Sequence, residues 1–466
     1  MLYHNLYAKC GKERTLTALI GVGHFGTAVL IQSLAHKRLQ VAAIADKGLA
    51  SIYTAAEKAH LPKDRIAECA TLEQAETAMK NGKLVITTDP LLLMKLPIDT
   101  IVEATGNPEA GAVHALAAIK SGKNIVMVNK ETDSCVGPIL KKLADEKGVV
   151  CTPVDGDQHG ALMQMVEWAR DTGLDVVAAG KSRDAEFIVD RKAKTVTVYE
   201  DNGITIHKTI TAHLTDKQMT VMDDMGDADV ADRLAERRKL LAELDPRGGF
   251  DLCEMVIAAN ATGLEPDTSL LYDAIVRTPE IPKVLCLKQD GGILSKPGII
   301  DVVTDLHYTD EAGLGGGMFM VVSASNEYSQ MILNTKGCIS NPKGTVALVY
   351  RPYHLCGVEA PTTLLCAGLL GVATGSLEYA QRWDIVQEAK VDLKAGDVMG
   401  NDHDTRLLTH IIKASPISGS GPIPVHMLNG LALAVDVPKG TVITYDMVKR
   451  PADSTLWSLR KMQDEL

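Results

Sequence analysis

ALIGVGHFGTAVLIQSLA, residues 18–35, is the stretch on which the fold turns. The apolar run TLTALI (15–20) leads into Gly21, Gly23 and Gly26, spaced G-x-G-x-x-G, and helical periodicity follows. Each glycine has a physical task in such a strand–turn–helix unit. The first permits a tight turn, the second lets backbone approach a pyrophosphate, and the third lets helix and strand pack closely. Asp46, 20 positions beyond Gly26 and directly after LQVAAIA (39–45), falls where a carboxylate would accept hydrogen bonds from a ribose hydroxyl. A glycine turn without a ligand is the alternative, but it leaves the position of Asp46 unexplained. The expected cofactor-binding set is Gly21, Gly23, His24, Phe25, Gly26 and Asp46. A carboxylate at 46 repels a 2′-phosphate and favours NAD, whereas Lys47 beside it could neutralise the phosphate of NADP.

Outward from this hairpin, apolar runs alternate with helical patterns. KLVITT (83–88), DTIVEAT (99–105), KNIVMVN (123–129) and GVVCTPV (148–154) read as further strands, with helices over GAVHALAAIKSGK (111–123) and GPILKKLADEKG (137–148). Nearly all-apolar strands alternating with helices indicate a parallel sheet covered on both faces, so the fold class is α/β with a doubly wound Rossmann domain over 15–155. After 156 the rhythm changes. A helix over 161–173, strand-like runs at 176–180, 195–201, 204–214, 319–325 and 345–355, and a charged helix over 227–244 point to an α+β domain. Its expected span is 156–380, with the part near 350–375 returning to the Rossmann domain, and its expected roles are substrate binding and oligomerisation. The tail, 385–466, repeats VDLKAGDV (391–398) as VDVPKGTV (435–442), each copy with a turn glycine before a short strand, and reads as a small pseudo-symmetric β domain.

Totals narrow the function classes. A chain of 466 residues exceeds the roughly 250–300 at which single cores stop growing, so several domains are expected. A net charge of −11 without a Lys/Arg-rich run speaks against nucleic acid and anionic membrane as partners. Nine cysteines, an odd number without a CxxC pair, read as reduced, packed thiols. The opening MLYHNLYAKCGKER has no signal-like apolar core, and the apolar stretch at 362–374 is shorter than the ~20 residues that span a bilayer, so a cytoplasmic location is expected.

Candidate chemistry gathers at strand ends. EATGNPEAG (103–111) closes a strand at the carboxyl edge, where Thr105, Gly106 and Asn107 could touch the cofactor or simply cap a helix. VNKETD (128–133) aims Lys130 and Glu131 at the same crevice. A lysine there could give a proton to a carbonyl oxygen as hydride arrives, or hold an anion, or lie at the surface. From the next strand, CTPVDGDQHG (151–160) sends Asp155 and Asp157 onto that edge, to orient substrate, hold a divalent metal or cap the following helix. His159 reads as a packing or capping residue. AAGKSRD (178–184), GGILSKPG (291–298) and VYRPYHLCGVE (349–359) offer Lys181 as a further catalytic candidate and Lys296, Arg351 and His354 as a cationic pocket for a small anionic substrate; each segment also has the Gly or Pro of an ordinary turn.

GVGHFG, EATGNPEAG, NKETD, VDGDQ, AAGK, AANATGLEPD (258–267), GGILSKPG and RPYHLCGVEAP, in this order, resemble the homoserine-dehydrogenase-like oxidoreductases with a C-terminal SAF domain, and within them the deoxyxylulose-5-phosphate reductoisomerase-like family. The resemblance implies Rossmann, substrate/dimerisation and SAF domains, a homodimer or homotetramer, and NAD(P)-dependent rearrangement and reduction of a phosphorylated ketose with a metal or cationic pocket polarising adjacent oxygens. Two positions depart from the pattern: Asp46 stands where a group suited to NADPH is expected, and AAGKSRDAEF lacks asparagines after its lysine. The alternatives are a homoserine-type dehydrogenase on another substrate and a non-catalytic, NAD-binding sensor or assembly chaperone.

Overall fold

The computed structural model describes residues 2–200, 208–223, 225, 229–244, 250–401 and 403–466. The chain divides into two compact units: residues up to Gly160 with 355–408 and 413–466, and residues 161–354 with 409–412.

In the first unit, seven strands form one parallel sheet: β1 (Thr15–Ile20), β2 (Leu39–Ala45), β3 (Ile66–Glu68), β4 (Leu84–Thr87), β5 (Thr100–Glu103), β6 (Asn124–Met127) and β7 (Cys151–Pro153), in the order β3-β4-β2-β1-β5-β6-β7. Alternate side chains explain why these strands read as unbroken apolar runs. Ala18 and Ile20 join one core cluster while Leu19 joins another; Ile125 and Met127 oppose Val126 in the same way. Both faces are therefore covered, as a parallel sheet requires. The strand order reverses between β1 and β5, so the crevice for a ligand lies at the carboxyl ends of these two strands. The loops after β1, β5, β6 and β7 all leave that edge, and at ~4.8 Å per strand they extend over about 14 Å.

β1 and β2 match the expected runs residue for residue, whereas the other expected strands are trimmed at their ends. β3 has no apolar run to announce it. It is a three-residue edge strand, whose pattern is too short to carry a period. The helix expected at 137 instead spans Lys130–Lys147. Gly137 and Pro138 look like a start, but the true cap is Asn129, whose Oδ1 accepts the Thr132 N–H at 3.0 Å.

The C-terminal segment belongs to this first unit by its contacts. The two halves of its internal echo face each other: Leu393 and Val437 exchange both backbone hydrogen bonds, at 2.9 and 3.0 Å, and Gly396 and Gly440 both take positive φ, +94° and +83°. The last helix, Thr455–Gln463, packs on the helices Pro108–Lys120 and Lys130–Lys147. Its Arg460 is fully buried and grips Asp384 through two hydrogen bonds of 2.8 and 2.7 Å.

The second unit is built on an eight-stranded mixed sheet of β8 (Leu174–Asp190), β9 (Thr195–Val198), β10 (Ile210–His213), β11 (Ala274–Val276), β12 (Ile299–Tyr308), β13 (Met318–Ala324), β14 (Ile339–Ser340) and β15 (Ala347–Arg351). β8 is its axis, antiparallel to β13 and β9 and parallel to β12, every residue of which is buried. The helix Phe250–Thr262 packs on β8 and β12. The strand expected over 204–214 is present from Ile210; 204–207, Asp201 at the end of the 195–201 run, and Asp227 and Ala228 at the start of the charged helix lie outside the described residues, and that helix spans Val230–Leu240. β16 (Trp383–Ala389) and β17 (Leu407–Lys413) form a separate two-stranded sheet. All nine cysteines are free thiols, and no helix among the described residues is long and apolar enough to cross a membrane.

Candidate active site

The glycine hairpin after β1 has the shape its spacing implied. Gly21 sits at φ +90°, and a Cβ there would stand 2.5 Å from the Ala104 carbonyl oxygen. At Gly26 a Cβ would come within 2.2 Å of the Gly21 oxygen, so backbone crosses backbone where only hydrogen fits. Gly23 differs: it is exposed, and a Cβ built on it meets nothing within 4 Å. It opens the helix His24–Leu34, and among the described residues no side chain caps the first turn. Uncapped N–H groups at a positive helix end, reached across a glycine, suit the phosphates of a dinucleotide. His24 is exposed and Phe25 half-buried on the first turn. Asp46 reaches back to this hairpin: Oδ2 accepts the Val22 N–H at 3.0 Å and Oδ1 the Gly48 N–H at 3.2 Å. Each oxygen keeps a second lone pair for a ribose hydroxyl. The residues present therefore fit a dinucleotide.

The loop after β5 is tied from below. Glu103, fully buried at the strand end, accepts the Thr105 hydroxyl at 2.6 Å and contacts His114 Nδ1 at 3.1 Å. Asn107 caps the helix Pro108–Lys120, its Oδ1 accepting the Ala110 N–H at 2.8 Å. Asn129 donates to Thr105 Oγ1 at 3.2 Å and to the Asn107 carbonyl at 3.0 Å, joining this loop to the one after β6. Gly106, at φ +63°, leaves a hypothetical Cβ 3.7 Å from Glu131 Oε1. Thr105 and Gly106 remain exposed, while Glu103 and Asn129 form the buried scaffold. Sequence reading passed over these two. The signal was there in VEAT and VN: polar residues ending apolar strands.

Lys130, the first residue of its helix, brings Nζ to 3.4 Å from Asp157 Oδ1. Asp157 is 3% exposed and Asp155 7% exposed, so little water competes for either carboxylate. Asp157 Oδ1 also accepts the Gln158 N–H at 3.0 Å, and the Asp155 N–H donates to Thr363 Oγ1 at 2.8 Å. Gly156 between them, at φ +87°, turns the chain where a Cβ would stand 2.6 Å from the Leu355 carbonyl. His159 is buried with Nδ1 3.8 Å from Asp157 Oδ1, closer to the carboxylate than a packing role alone requires. Asp157 and His159 offer one carboxylate and one imidazole as potential cation ligands, with the Lys130 ammonium as a competitor for Asp157. Burial pushes the Cys366 thiol up to about 11, against the opposing Tyr7 hydrogen bond, and the Asp155 charge adds to the rise. It stays protonated at neutral pH and is no nucleophile.

In the second unit, the register pairs Met318 with both Lys181 and Arg351, which sets the two cations in one row across β8, β13 and β15. Lys181 is 1% exposed and meets Glu254 Oε2 of the helix Phe250–Thr262 at 2.5 Å. Glu254 is a third residue missed from sequence; its trace was one acid inside the apolar run LCEMVIAA (252–259). Arg351 stacks over the Tyr353 ring at 4.7 Å, and His354 Nδ1 meets the Gly316 carbonyl at 2.7 Å. Lys296 stands apart from this row. It precedes β12 and pairs with Glu265 at 2.5 Å, a half-exposed contact.

Residues 156–360 match the family model described as oxidoreductase DRL, catalytic domain. Among curated proteins, the 1-deoxy-D-xylulose 5-phosphate reductoisomerase of Leptospira biflexa is 36% identical over 75 residues, 16% of this chain and 19% of that protein. That of Thermosynechococcus vestitus is 42% identical over 65 residues, 14% of this chain and 16% of that protein. The chain thus matches less than a fifth of the length of these relatives. Among solved structures, a probable dehydrogenase from Thermotoga maritima aligns with a TM-score of 0.35 at 12% identity, covering 75% of this chain and 87% of that one. The family match covers 205 of the 466 residues, beside the Rossmann-like parallel sheet of the first unit.

Proposed function

We propose that this chain is an NAD(P)-dependent oxidoreductase acting on a small phosphorylated or polyhydroxylated carbonyl compound, with NAD favoured by Asp46. One observation carries the reading: the glycine hairpin, the Thr105–Gly106–Asn107 loop and the Lys130–Asp157 contact of 3.4 Å all belong to one edge of one parallel sheet. The oxidoreductase match over 156–360 supports it. The short identities to 1-deoxy-D-xylulose 5-phosphate reductoisomerases make that ketose phosphate the first substrate to try.

A bound nicotinamide supplies or accepts the hydride at the substrate carbon. The chain's own groups do the rest. Gly23 and the uncapped helix turn hold the pyrophosphate, and Asp46 holds the ribose. Lys130 donates a proton to the carbonyl oxygen as negative charge develops there, and Asp157 holds the amine in position. Asp155 and Asp157 orient the substrate's hydroxyls or hold a divalent cation, which would polarise adjacent oxygens. Lys181, Arg351 and His354 supply the anion-binding candidates of the second unit, and the tail reads as an SAF-like domain.

The test is a titration of the full chain with NADH and with NADPH, followed by fluorescence and by melting temperature. Turnover of 1-deoxy-D-xylulose 5-phosphate and a panel of sugar phosphates and aldonates is then followed, with Mg²⁺ or Mn²⁺ present. Lys130→Met should lower kcat about 100-fold or more while leaving cofactor binding intact. No response to either cofactor rejects the dinucleotide site; turnover unchanged in Lys130→Met rejects the proton donor.

A further inference from the structure

We propose that Glu186, Asp305 and His307, in the second unit, form a binding site for a divalent transition-metal ion such as Mn²⁺ or Zn²⁺. It is separate from the Asp155/Asp157 loop and independent of the function proposed above. The three side chains each offer a ligand atom, and these atoms lie within 4.8 Å of one another. Their meeting is a product of register. β8 and β12 run parallel, yet pairing shifts from Val303 opposite Ser182 to Asp305 opposite Glu186, so β8 spends two extra residues on a bulge. That bulge brings Glu186 level with Asp305. His307, two residues further along β12, points to the same face.

The environment calls for positive charge. Asp305 is 1% exposed; Oδ2 contacts His307 Nδ1 at 2.7 Å, while Oδ1 is buried with no hydrogen-bond partner among the described residues. An unsatisfied carboxylate oxygen is among the costlier groups to bury, and a second carboxylate beside it adds repulsion. Among the described residues, Glu186 Oε1 takes one long hydrogen bond, 3.2 Å, from the Gly315 N–H. The loop that covers the cluster is cut to fit: a Cβ at Gly313 would stand 2.0 Å from Glu186 Oε1 and 2.9 Å from His307 Cε1, and one at Gly315 would lie 2.3 Å from Glu186 Cγ. Backbone here comes as close as glycine allows. One imidazole with two carboxylates is a mixed N/O donor set, suited to Mn²⁺ or Zn²⁺ more than to the all-oxygen preference of Ca²⁺ or Mg²⁺.

Such an ion would hold β8, β12 and the glycine loop together. The same loop presents the Gly316 carbonyl to His354 Nδ1, so occupancy would steady that histidine. Glu186, Asp305 and His307 are positioning residues in this respect.

The experiment uses the full chain, stripped with chelator, in an Asp157→Asn background that disables the other candidate cation loop. MnCl2 is titrated while free Mn²⁺ is read by electron paramagnetic resonance, and bound Mn²⁺ is examined for ¹⁴N modulation from imidazole. The expected result is one equivalent bound with an imidazole signature. Adding Asp305→Asn or Glu186→Gln should weaken binding at least tenfold, and His307→Gln should remove the nitrogen signal. Circular dichroism checks that each variant is folded, and the nitrogen signal in the Asp157→Asn chain alone decides if they are not. Absence of bound Mn²⁺ and of bound Zn²⁺ in that chain, binding without an imidazole signature, or unchanged binding in folded Asp305→Asn and Glu186→Gln would overturn the proposal.

Discussion

Gly23→Ala and Gly26→Ala test the dinucleotide cradle because the same added methyl group meets opposite surroundings. At Gly23 the new carbon touches no atom of the described residues within 4 Å, and the backbone there is extended, at φ −65°. The fold should lose no more than the modest preference of a helix N-cap for glycine over alanine, below about 1 kcal/mol. The methyl would, however, occupy the face across which a pyrophosphate must approach the first-turn N–H groups. Losing one charge-assisted hydrogen bond costs about 1.5–3 kcal/mol, which predicts a ten- to hundredfold weaker affinity for NADH and NADPH alike. At Gly26 the methyl would stand 2.2 Å from the Gly21 carbonyl oxygen, a backbone atom that cannot rotate away. Helix and strand must separate there, and the clash outweighs the ~1 kcal/mol that alanine normally adds to a helix over glycine. Gly26→Ala should therefore lower both stability and affinity. Fluorescence titration with urea unfolding of the same samples reads both quantities. If Gly23→Ala binds either cofactor as the parent does, the hairpin is a structural turn and the cradle argument fails.

Three further outcomes follow from other sites. Asp46→Arg should shift the ratio of NADH to NADPH affinity at least tenfold toward NADPH; the ratio is the readout because losing the Val22 and Gly48 hydrogen bonds loosens the hairpin for both cofactors equally, and an unchanged ratio would remove Asp46 from the ribose site. Burial raises the Asp133 carboxyl to about 7, against a stabilising hydrogen bond from Tyr379. The folded chain thus holds a proton that the unfolded chain releases near the ordinary carboxylate value, so this contribution is fully present below about pH 4 and is lost as pH rises toward 7. Asp133→Asn should flatten that decline in urea-unfolding free energy, leaving the part due to Asp301, also raised to about 7 by burial; an unaltered profile would contradict an unusually basic Asp133. Arg460→Met strands the buried Asp384 carboxylate and should cost about 3–5 kcal/mol, partly recovered in Arg460→Met with Asp384→Leu; a loss under 1 kcal/mol would show the pair to be dispensable.

Local order alone was enough to reveal the Rossmann layer. Strand, glycine turn and helix are neighbours in the chain, and a sheet buried on both faces writes itself as apolar runs, so β1, β2 and the loops carrying Thr105, Lys130, Asp155 and Asp157 could be read directly. The turn glycines at 396 and 440 were legible for the same reason. Short or capped elements were not: β3 is too brief to show a period, and the cap at Asn129 overrode the Gly137–Pro138 signal. Glu103, Asn129 and Glu254 escaped because a lone polar residue in an apolar run gives no hint of the partner it will meet.

Tertiary structure alone decided which distant residues share a level. Lys130 and Asp157, 27 positions apart, meet because β6 and β7 are adjacent parallel strands whose loops leave one edge. Lys181 and Arg351 align while Lys296 does not, since register across β8, β13 and β15 depends on hydrogen-bond pairing that residue types do not encode. Glu186 meets Asp305 through a bulge, and a shift of pairing by even one residue would have turned it to the other face of the sheet.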